Sequence, residues 1–236
     1  MKKKMKILLL CVAVAALLAA AAGIYFGVIR PWQEQQEWEV FVTQYRAEKR
    51  EKYAQENEEF ADYQVDVAFL GDSLTDGYDL ARYYPQYVTA NRGIGGDTTF
   101  DLEGRLQLSV YDLKPKVAVM LIGANNMDTM FENYEEILKG LQENLPDTKI
   151  VLLSLTAMGG EHWGRKNQLA AYNNVTIKIL AEKYGFTFVD LFTPLYDVSI
   201  GEVYEGYTVD GGHFTDLGYT VVTAQITPVL EKLLGK

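Results

Sequence analysis

The segment Val65-Asp66-Val67-Ala68-Phe69-Leu70 is almost wholly apolar, and Gly71-Asp72-Ser73 follows it directly. Such a run is typical of a strand in a parallel sheet that is covered on both faces. Further strand-like segments occur at residues 87–90, 117–122, 150–155 and 186–191. Amphipathic stretches separate these segments. The alternation predicts an α/β domain, a three-layer α/β/α sandwich with a five-stranded parallel sheet.

Helix start signals support this alternation. A capping-box pattern begins at Thr98, and a second at Thr129 predicts a helix that reaches about residue 145. Apolar residues at helical spacing predict two further helices, over residues 165–184 and 215–234. Each predicted helix lies between two predicted strands or after the last one, as a parallel sheet requires.

The first 30 residues differ in composition from the rest. Met1–Lys6 contains four lysines, and the 23 residues of Ile7–Ile29 carry no charge. As a helix this segment is about 34 Å long, enough to cross a hydrocarbon core of about 30 Å. Residues 1–30 are therefore predicted to form a cytoplasmic flank and a transmembrane signal-anchor, with the rest outside the cytoplasm. Cleavage near Ala20-Ala21-Ala22 is the alternative, and it would release a secreted protein.

The remaining chain divides into two parts. Residues 31–64 are charged and nearly free of helix breakers, so they are predicted to be a helical linker to a globular domain at 65–236. The whole chain has 22 Lys and Arg against 32 Asp and Glu, a net charge of −10, so no nucleic-acid partner is expected. One Cys and two His exclude an internal disulfide and a three-His or thiolate zinc site.

Chemically distinctive residues follow the predicted strands, where parallel sheets bind ligands. Ser73 follows the first strand, Gly96 lies in a glycine pair after the second, and Asn125 follows the third. Asp210 and His213 are spaced so that the carboxylate can reach Nδ1 and leave Nε2 free. Each feature alone has an ordinary interpretation as a cap or a turn. Together they supply a nucleophile, a base, its orienting acid and oxyanion donors.

Four blocks also carry a resemblance to a known family: FLGDSLT (69–75), NRGIGGDTT (91–99), LIGANN (121–126) and DGGHF (210–214). In order and spacing they resemble the SGNH hydrolase superfamily, also called GDSL esterases and lipases. The second block is most similar to the platelet-activating-factor acetylhydrolase-like branch. The resemblance implies a flavodoxin-like SGNH hydrolase fold and hydrolysis of acyl esters without a metal or other cofactor. Asn126 departs from the pattern, since many members have Asp there.

The resemblance implies a role for each matched residue. Ser73 would be the nucleophile and would donate its backbone N–H to the oxyanion. Gly96 would give a second backbone N–H to that oxyanion, and Asn125 its side-chain amide. His213 would act as the base and then as the acid, with Asp210 fixing its tautomer.

Residues outside these blocks are candidates for substrate contact. His162 and Trp163 lie in a glycine-rich loop after the fourth strand, and Tyr207 lies in the connection that leads to His213. Loop capping or surface packing is the alternative for each of them.

The favoured hypothesis is a membrane-anchored serine esterase or lipase that forms an acyl-enzyme with short-chain or lipid-derived acyl esters outside the cytoplasm. One alternative is a deacetylase of O-acetylated cell-wall or exported polysaccharide. The other is a catalytically silent binding protein with the same fold.

Overall fold

The computed structural model describes residues 2–235, and the chain divides into two compact units between Lys49 and Arg50. The first unit contains α1, Lys2–Ile24, a π-helical turn at Tyr25–Ile29, and the first part of α2, Arg30–Glu59. Among the described residues no helix is both long and apolar enough to cross a membrane, so the predicted transmembrane span at residues 7–29 is not supported.

The second unit is built on a five-stranded parallel sheet with the order β2-β1-β3-β4-β5. The strands are β1 (Val67–Gly71), β2 (Thr89–Gly93), β3 (Val117–Leu121), β4 (Lys149–Leu153) and β5 (Thr187–Val189). This confirms the predicted parallel sheet, and the order is that of flavodoxin-like folds. The order reverses between β1 and β3, so the carboxyl ends of these two strands border the crevice in which such folds bind ligands.

The remaining helices of the described region connect or flank these strands. They are α3 (Ser73–Asp76), α4 (Leu80–Tyr83), α5 (Thr99–Glu103), α6 (Tyr134–Asn144), α7 (Gly160–Trp163), α8 (Asn167–Tyr184), α9 (Phe192–Leu195) and α10 (Asp216–Leu234). A π-helical turn occupies Gln107–Tyr111, and 3-10 turns occupy Met130–Glu132 and Gly164–Lys166.

Successive side chains of the strands point to opposite faces and fill two apolar layers. Val67, Phe69 and Val119 belong to a buried cluster that also contains residues of α10. Leu70 and Met120 belong to a second buried cluster, which contains residues of α5, α6 and α8. The strands are therefore covered on both faces, which is why their sequences are continuously apolar and why the predicted three-layer sandwich is correct.

Two local predictions have different outcomes. The capping box at Thr98 is present, and its side chain accepts a hydrogen bond from the backbone of α5. The helix predicted from Thr129 begins only at Tyr134, and the Thr129 side chain makes no capping hydrogen bond. Instead, Asn133 accepts a hydrogen bond of 2.6 Å from the Thr99 hydroxyl, so a tertiary contact replaces the local cap at the start of α6.

The connection after β5 contains structure that the apolar pattern did not predict. Tyr196–Asp197 (β6) and Glu202–Val203 (β7) form a short antiparallel pair before the turn that leads into α10. Two-residue strands are too short for an alternating pattern to identify them.

Candidate active site

The turn between β1 and α3 presents the predicted nucleophile. Ser73 is the first residue of α3, and the Asp72 carboxylate before it caps the helix by accepting a hydrogen bond from the Leu74 N–H. A side chain at Gly71 would collide with the Leu121 carbonyl oxygen and with Thr75, so only glycine allows this close approach of the turn to β3. The turn is therefore fixed by its own sequence.

The structure brings Ser73, His213 and Asp210 together. Ser73 Oγ lies 3.0 Å from His213 Nε2, and His213 Nδ1 lies 2.7 Å from Asp210 Oδ2. These are hydrogen-bond distances in the order hydroxyl, imidazole, carboxylate. Such a relay can remove the serine proton while the carboxylate holds the imidazole in one tautomer.

The loop before α10 holds the acid and the base in place. The backbone N–H groups of Gly212 and His213 donate to Asp210 Oδ1 at 2.9 and 2.8 Å. Burial acts to raise the pKa of Asp210, but these bonds and the bond from the imidazole outweigh it and lower the pKa to about 2. Asp210 is therefore a carboxylate at any pH at which an esterase is assayed. Gly211 has φ +91° and would meet the Gly159 carbonyl if it carried a side chain.

Two of the predicted oxyanion donors, Gly96 and Asn125, follow β2 and β3. Gly96 has φ +78°, and a Cβ there would meet no atom within 4 Å, so its backbone borders open space. Asn125 Nδ2 donates to the Asp97 carbonyl oxygen at 2.9 Å. An amide nitrogen carries two hydrogens, so this bond fixes the Asn125 side chain and leaves its second hydrogen to donate. The Asn125 side chain lines the cavity that also contains Ser73, whereas Gly96 is not among the residues that line it.

The family to which the chain is similar agrees with this geometry. A model of the GDSL-like lipase/acylhydrolase family matches residues 69–221, which include Ser73, His213 and Asn125. The chain belongs to this family. It is an ester-hydrolysing enzyme of the GDSL-like type. A comparison with curated proteins found no match.

Solved structures of several bacterial proteins are similar to the chain. A protein provisionally described as a platelet activating factor from Streptococcus pneumonia has 24% identity and a TM-score of 0.76, over 84% of this chain and 98% of that one. A GDSL-like lipase from Bacteroides thetaiotaomicron has 25% identity and a TM-score of 0.68, over 78% and 97%. An acetylxylan esterase from Geobacillus stearothermophilus, with 20% identity and a TM-score of 0.59 over 72% and 95%, shares the fold.

In this GDSL-like hydrolase a narrow cavity of about 320 Å³, its mouth included, opens at the serine. Its lining contains Ser73, Asn125, Thr156, Met158, Trp163 and His213. A larger groove of about 1250 Å³ along α8 and β5 contains none of the predicted site residues and is an open surface. The narrow cavity is the candidate active site because it holds the serine and the imidazole.

The three predicted substrate contacts are placed differently. Trp163 lines the cavity, and its ring lies edge-on to His213 at 6.4 Å between centroids. His162 packs its ring against Trp163 at 4.8 Å and is not part of the cavity lining. Tyr207 packs against Tyr204 and the apolar layer below α10, so it is a core contact and not a cavity wall.

The cavity wall after β4 includes Met158, which the sequence motifs do not predict. Met158 is held by the Asn167 side chain, which accepts from the Met158 N–H at 2.8 Å and donates to its carbonyl at 2.6 Å. Asn174 holds Leu155 in the same way, at 2.7 and 3.0 Å. The available signal was a pair of asparagines seven residues apart on α8, one at its first residue and one two turns further along. Within the part of the chain that the structure describes, no group of His, Cys, Asp and Glu is arranged to hold a metal ion.

Asp72 is a buried carboxylic acid that the serine relay does not use. Its side chain is 1% exposed, and Oδ2 has no hydrogen-bond partner among residues 2–235. Burial raises the pKa of Asp72 to about 6, against the lowering effect of the Leu74 N–H. A folded-state pKa above the unfolded one stabilises the protein at low pH, and this stabilisation is lost as the pH rises through about 6.

We expect Asp72→Asn to separate this effect from other titrations. The free energy of unfolding of the variant, relative to the wild type, should increase by about 2–3 kcal/mol between pH 4 and pH 7.5, because Asn cannot ionise. Urea denaturation of both proteins at several pH values measures the difference. A difference that stays constant with pH would show that Asp72 does not titrate in this range.

Proposed function

We propose that Ser73 is the nucleophile of an acyl-enzyme mechanism, with His213 as its base. The observation that carries this proposal is the continuous relay from Ser73 Oγ to His213 Nε2 and from Nδ1 to Asp210. Ser73 Oγ attacks the ester carbonyl carbon while its proton passes to Nε2. The imidazolium then gives that proton to the leaving alcohol, which departs and leaves an acyl group on Ser73.

Hydrolysis of the acyl-enzyme completes the cycle with the same groups. Water attacks the acyl carbonyl and gives a proton to His213 Nε2. The collapse of this second intermediate returns the proton to Ser73 Oγ and releases the acid. The ionised Asp210 stabilises the imidazolium at both stages, consistent with its lowered pKa.

The oxyanion donors of the proposal are the Ser73 and Gly96 backbone N–H groups and the Asn125 amide. Support comes from Asn125, whose side chain lines the cavity with Ser73 and is held by its bond to the Asp97 carbonyl oxygen. Gly96 enters the proposal through the motif at residues 91–99 and not through the cavity lining. Such donors act because they are already oriented when negative charge develops on the carbonyl oxygen.

Asn125→Ala tests the oxyanion assignment. We expect kcat to fall by about 10²- to 10³-fold with little change in KM, because the lost hydrogen bond strengthens only in the transition state. Steady-state kinetics on a p-nitrophenyl ester give both constants. An unchanged kcat would remove Asn125 from the site.

We propose short-chain acyl esters as the substrates. The cavity has about 320 Å³ of free space when its open mouth is counted, so its enclosed part is smaller than that and suits a small acyl group. Met158 and Trp163 limit the space beside Ser73. The side chains of His213 and Asp210 are close to half exposed. The side of the site at which His213 would protonate the leaving alcohol is therefore open to a larger group.

The second candidate is a deacetylase of O-acetylated cell-wall or exported polysaccharide. A small acyl cavity with an open alcohol side fits an acetyl ester on a bulky carbohydrate. An acetylxylan esterase among the similar structures has this kind of substrate.

A substrate panel distinguishes the two candidates. Enzyme is assayed with p-nitrophenyl acetate, butyrate and octanoate, with lysophospholipid, and with acetylated glycans. If the enzyme is a short-chain esterase, kcat/KM is highest on the acetate or butyrate ester. A polysaccharide deacetylase releases acetate from glycans with a higher kcat/KM than from the p-nitrophenyl ester. Preference for octanoate or lysophospholipid would contradict both.

We also propose that the enzyme works outside the cytoplasm. The proposal rests on sequence, because four lysines precede 23 uncharged residues at the start of the chain. Cell fractionation with protease protection of the full-length protein tests it. A protease-resistant domain in intact cells, recovered with cytoplasmic markers, would contradict the proposal.

A further inference from the structure

The last turns of α2 contact the strand that leads into the Gly96 loop. Tyr53 is 1% exposed, and its hydroxyl donates to the Gly93 carbonyl at 2.6 Å. Burial raises the pKa of Tyr53 to about 12, so the hydroxyl remains a donor. Gly93 in turn lies so close to α3 that a Cβ would collide with the Asp76 backbone nitrogen. One hydrogen bond therefore links α2 to the backbone that packs on the serine turn.

A second set of contacts from α2 holds a buried arginine. Arg92 is fully buried, forms an ion pair with Glu56, and donates to Asn57 Oδ1 at 3.0 Å. Its guanidinium also lies 4.6 Å from the centre of the Tyr53 ring. A buried charge needs such partners, because an unpaired charge in a low-dielectric interior costs several kcal/mol. Residues of α2 thus supply the partners that fix the end of β2.

Arg105 continues this network to the oxyanion side of the site. Its guanidinium donates to the carbonyl oxygens of Arg92 and Gly71, both at 2.9 Å, and to Asp97 Oδ2 at 2.7 Å. The Asp97 carbonyl is the acceptor that orients Asn125. An unbroken series of contacts therefore leads from α2 through Arg92 and Arg105 to the Asn125 amide.

We propose that residues 50–59 of α2 are a positioning element of the active site. Through Tyr53 and Glu56 this element holds the loop at residues 94–97, which contains Gly96 and the Asp97 carbonyl that orients Asn125. This inference rests on the proposed function of Asn125 and Gly96. The element lies before residue 69, where the family match begins. It also lies inside the compact unit that begins at Arg50. Residues 50–59, which composition assigned to the linker, are thus needed for full turnover.

Tyr53→Phe and Glu56→Gln in the full-length chain test the proposal. Both substitutions keep the size of the side chain, and Glu56 is 30% exposed, so folding is expected to survive. The matched control is Glu58→Gln, which removes the same charge from an exposed position on the same helix. Active sites are counted by fluorophosphonate titration, so that kcat is measured per competent molecule.

We expect kcat per active site to fall about tenfold in each variant, with KM changed by less than twofold, because displaced donors weaken only the transition state. Glu58→Gln should match the wild type. The loss from Tyr53→Phe should shrink to less than twofold in an Asn125→Ala background, because the two act through one group.

A purely structural role would instead lower the melting temperature and the number of titrated sites and leave kcat per site unchanged. That result, or full additivity with Asn125→Ala, would overturn the proposal. An active wild type with unaffected variants rejects only the positioning role, whereas activity that survives Ser73→Ala rejects the proposed function itself.

Discussion

Ser73→Ala is expected to reduce kcat/KM on p-nitrophenyl acetate by about 10⁴- to 10⁶-fold, because the acyl-enzyme cannot form without the hydroxyl. The Asp72 cap, the Gly71 turn and the His213–Asp210 pair do not depend on Ser73 Oγ, so the fold is expected to persist. Circular dichroism and the melting temperature verify this in the same preparation.

The matched control for this variant is Ser199→Ala. Ser199 is exposed, and its hydroxyl donates to the Asp197 carboxylate away from the cavity. Its loss should leave kcat/KM within about twofold of the wild type. If Ser73→Ala and Ser199→Ala were equally active, Ser73 would not be the nucleophile.

Asp210→Asn is expected to lower kcat by about 10³- to 10⁴-fold while it preserves the loop. The amide oxygen of Asn can still accept the N–H groups of Gly212 and His213, which now bind Oδ1. Its NH₂ would face Nδ1, and this favours the tautomer with a proton on Nε2, which cannot accept the serine proton. The same change therefore keeps the structure and removes the base.

The pH dependence of kcat in the wild-type enzyme tests the role of the same carboxylate. Because the pKa of Asp210 is about 2, its ionised form is present throughout the assay range, and no titration of Asp210 should appear in the wild-type profile. Asp128→Asn, at an exposed position, serves as the control for a lost surface charge. A kcat in Asp210→Asn within tenfold of the wild type would mean that the carboxylate does not orient the base.

The sheet could be predicted from sequence because its physical cause is local. Strands that are buried on both faces require continuous apolar runs such as Val117–Leu121, and these runs are visible without a structure. The predicted bounds of β2, residues 87–90, differ from the observed bounds, Thr89–Gly93. The apolar pattern ends at Ala90, but Asn91–Gly93 continue the strand because they pair with Phe69–Gly71 of β1. A pairing between distant segments leaves no trace in local hydropathy.

Short motifs predicted which residues the structure brings together at the serine, whereas the contacts that hold the site leave no local signal. Asp210 and His213 lie three residues apart, so one turn brings them together. The contact between Tyr53 and Gly93 joins residues 40 positions apart, and neither residue type is unusual. Tyr207 is close to His213 in sequence, but its half-buried ring packs against the apolar layer at α10 and is not part of the cavity lining.

Mass spectrometry of the enzyme after reaction with a fluorophosphonate identifies the nucleophile directly. Of the described hydroxyl groups, Ser73 Oγ is the one placed 3.0 Å from His213 Nε2, so it should be selectively activated. We expect one adduct per chain, located on the peptide that contains Ser73, and no adduct in Asp210→Asn on the same time scale. An adduct on another serine, or an unmodified protein with full esterase activity, would contradict it.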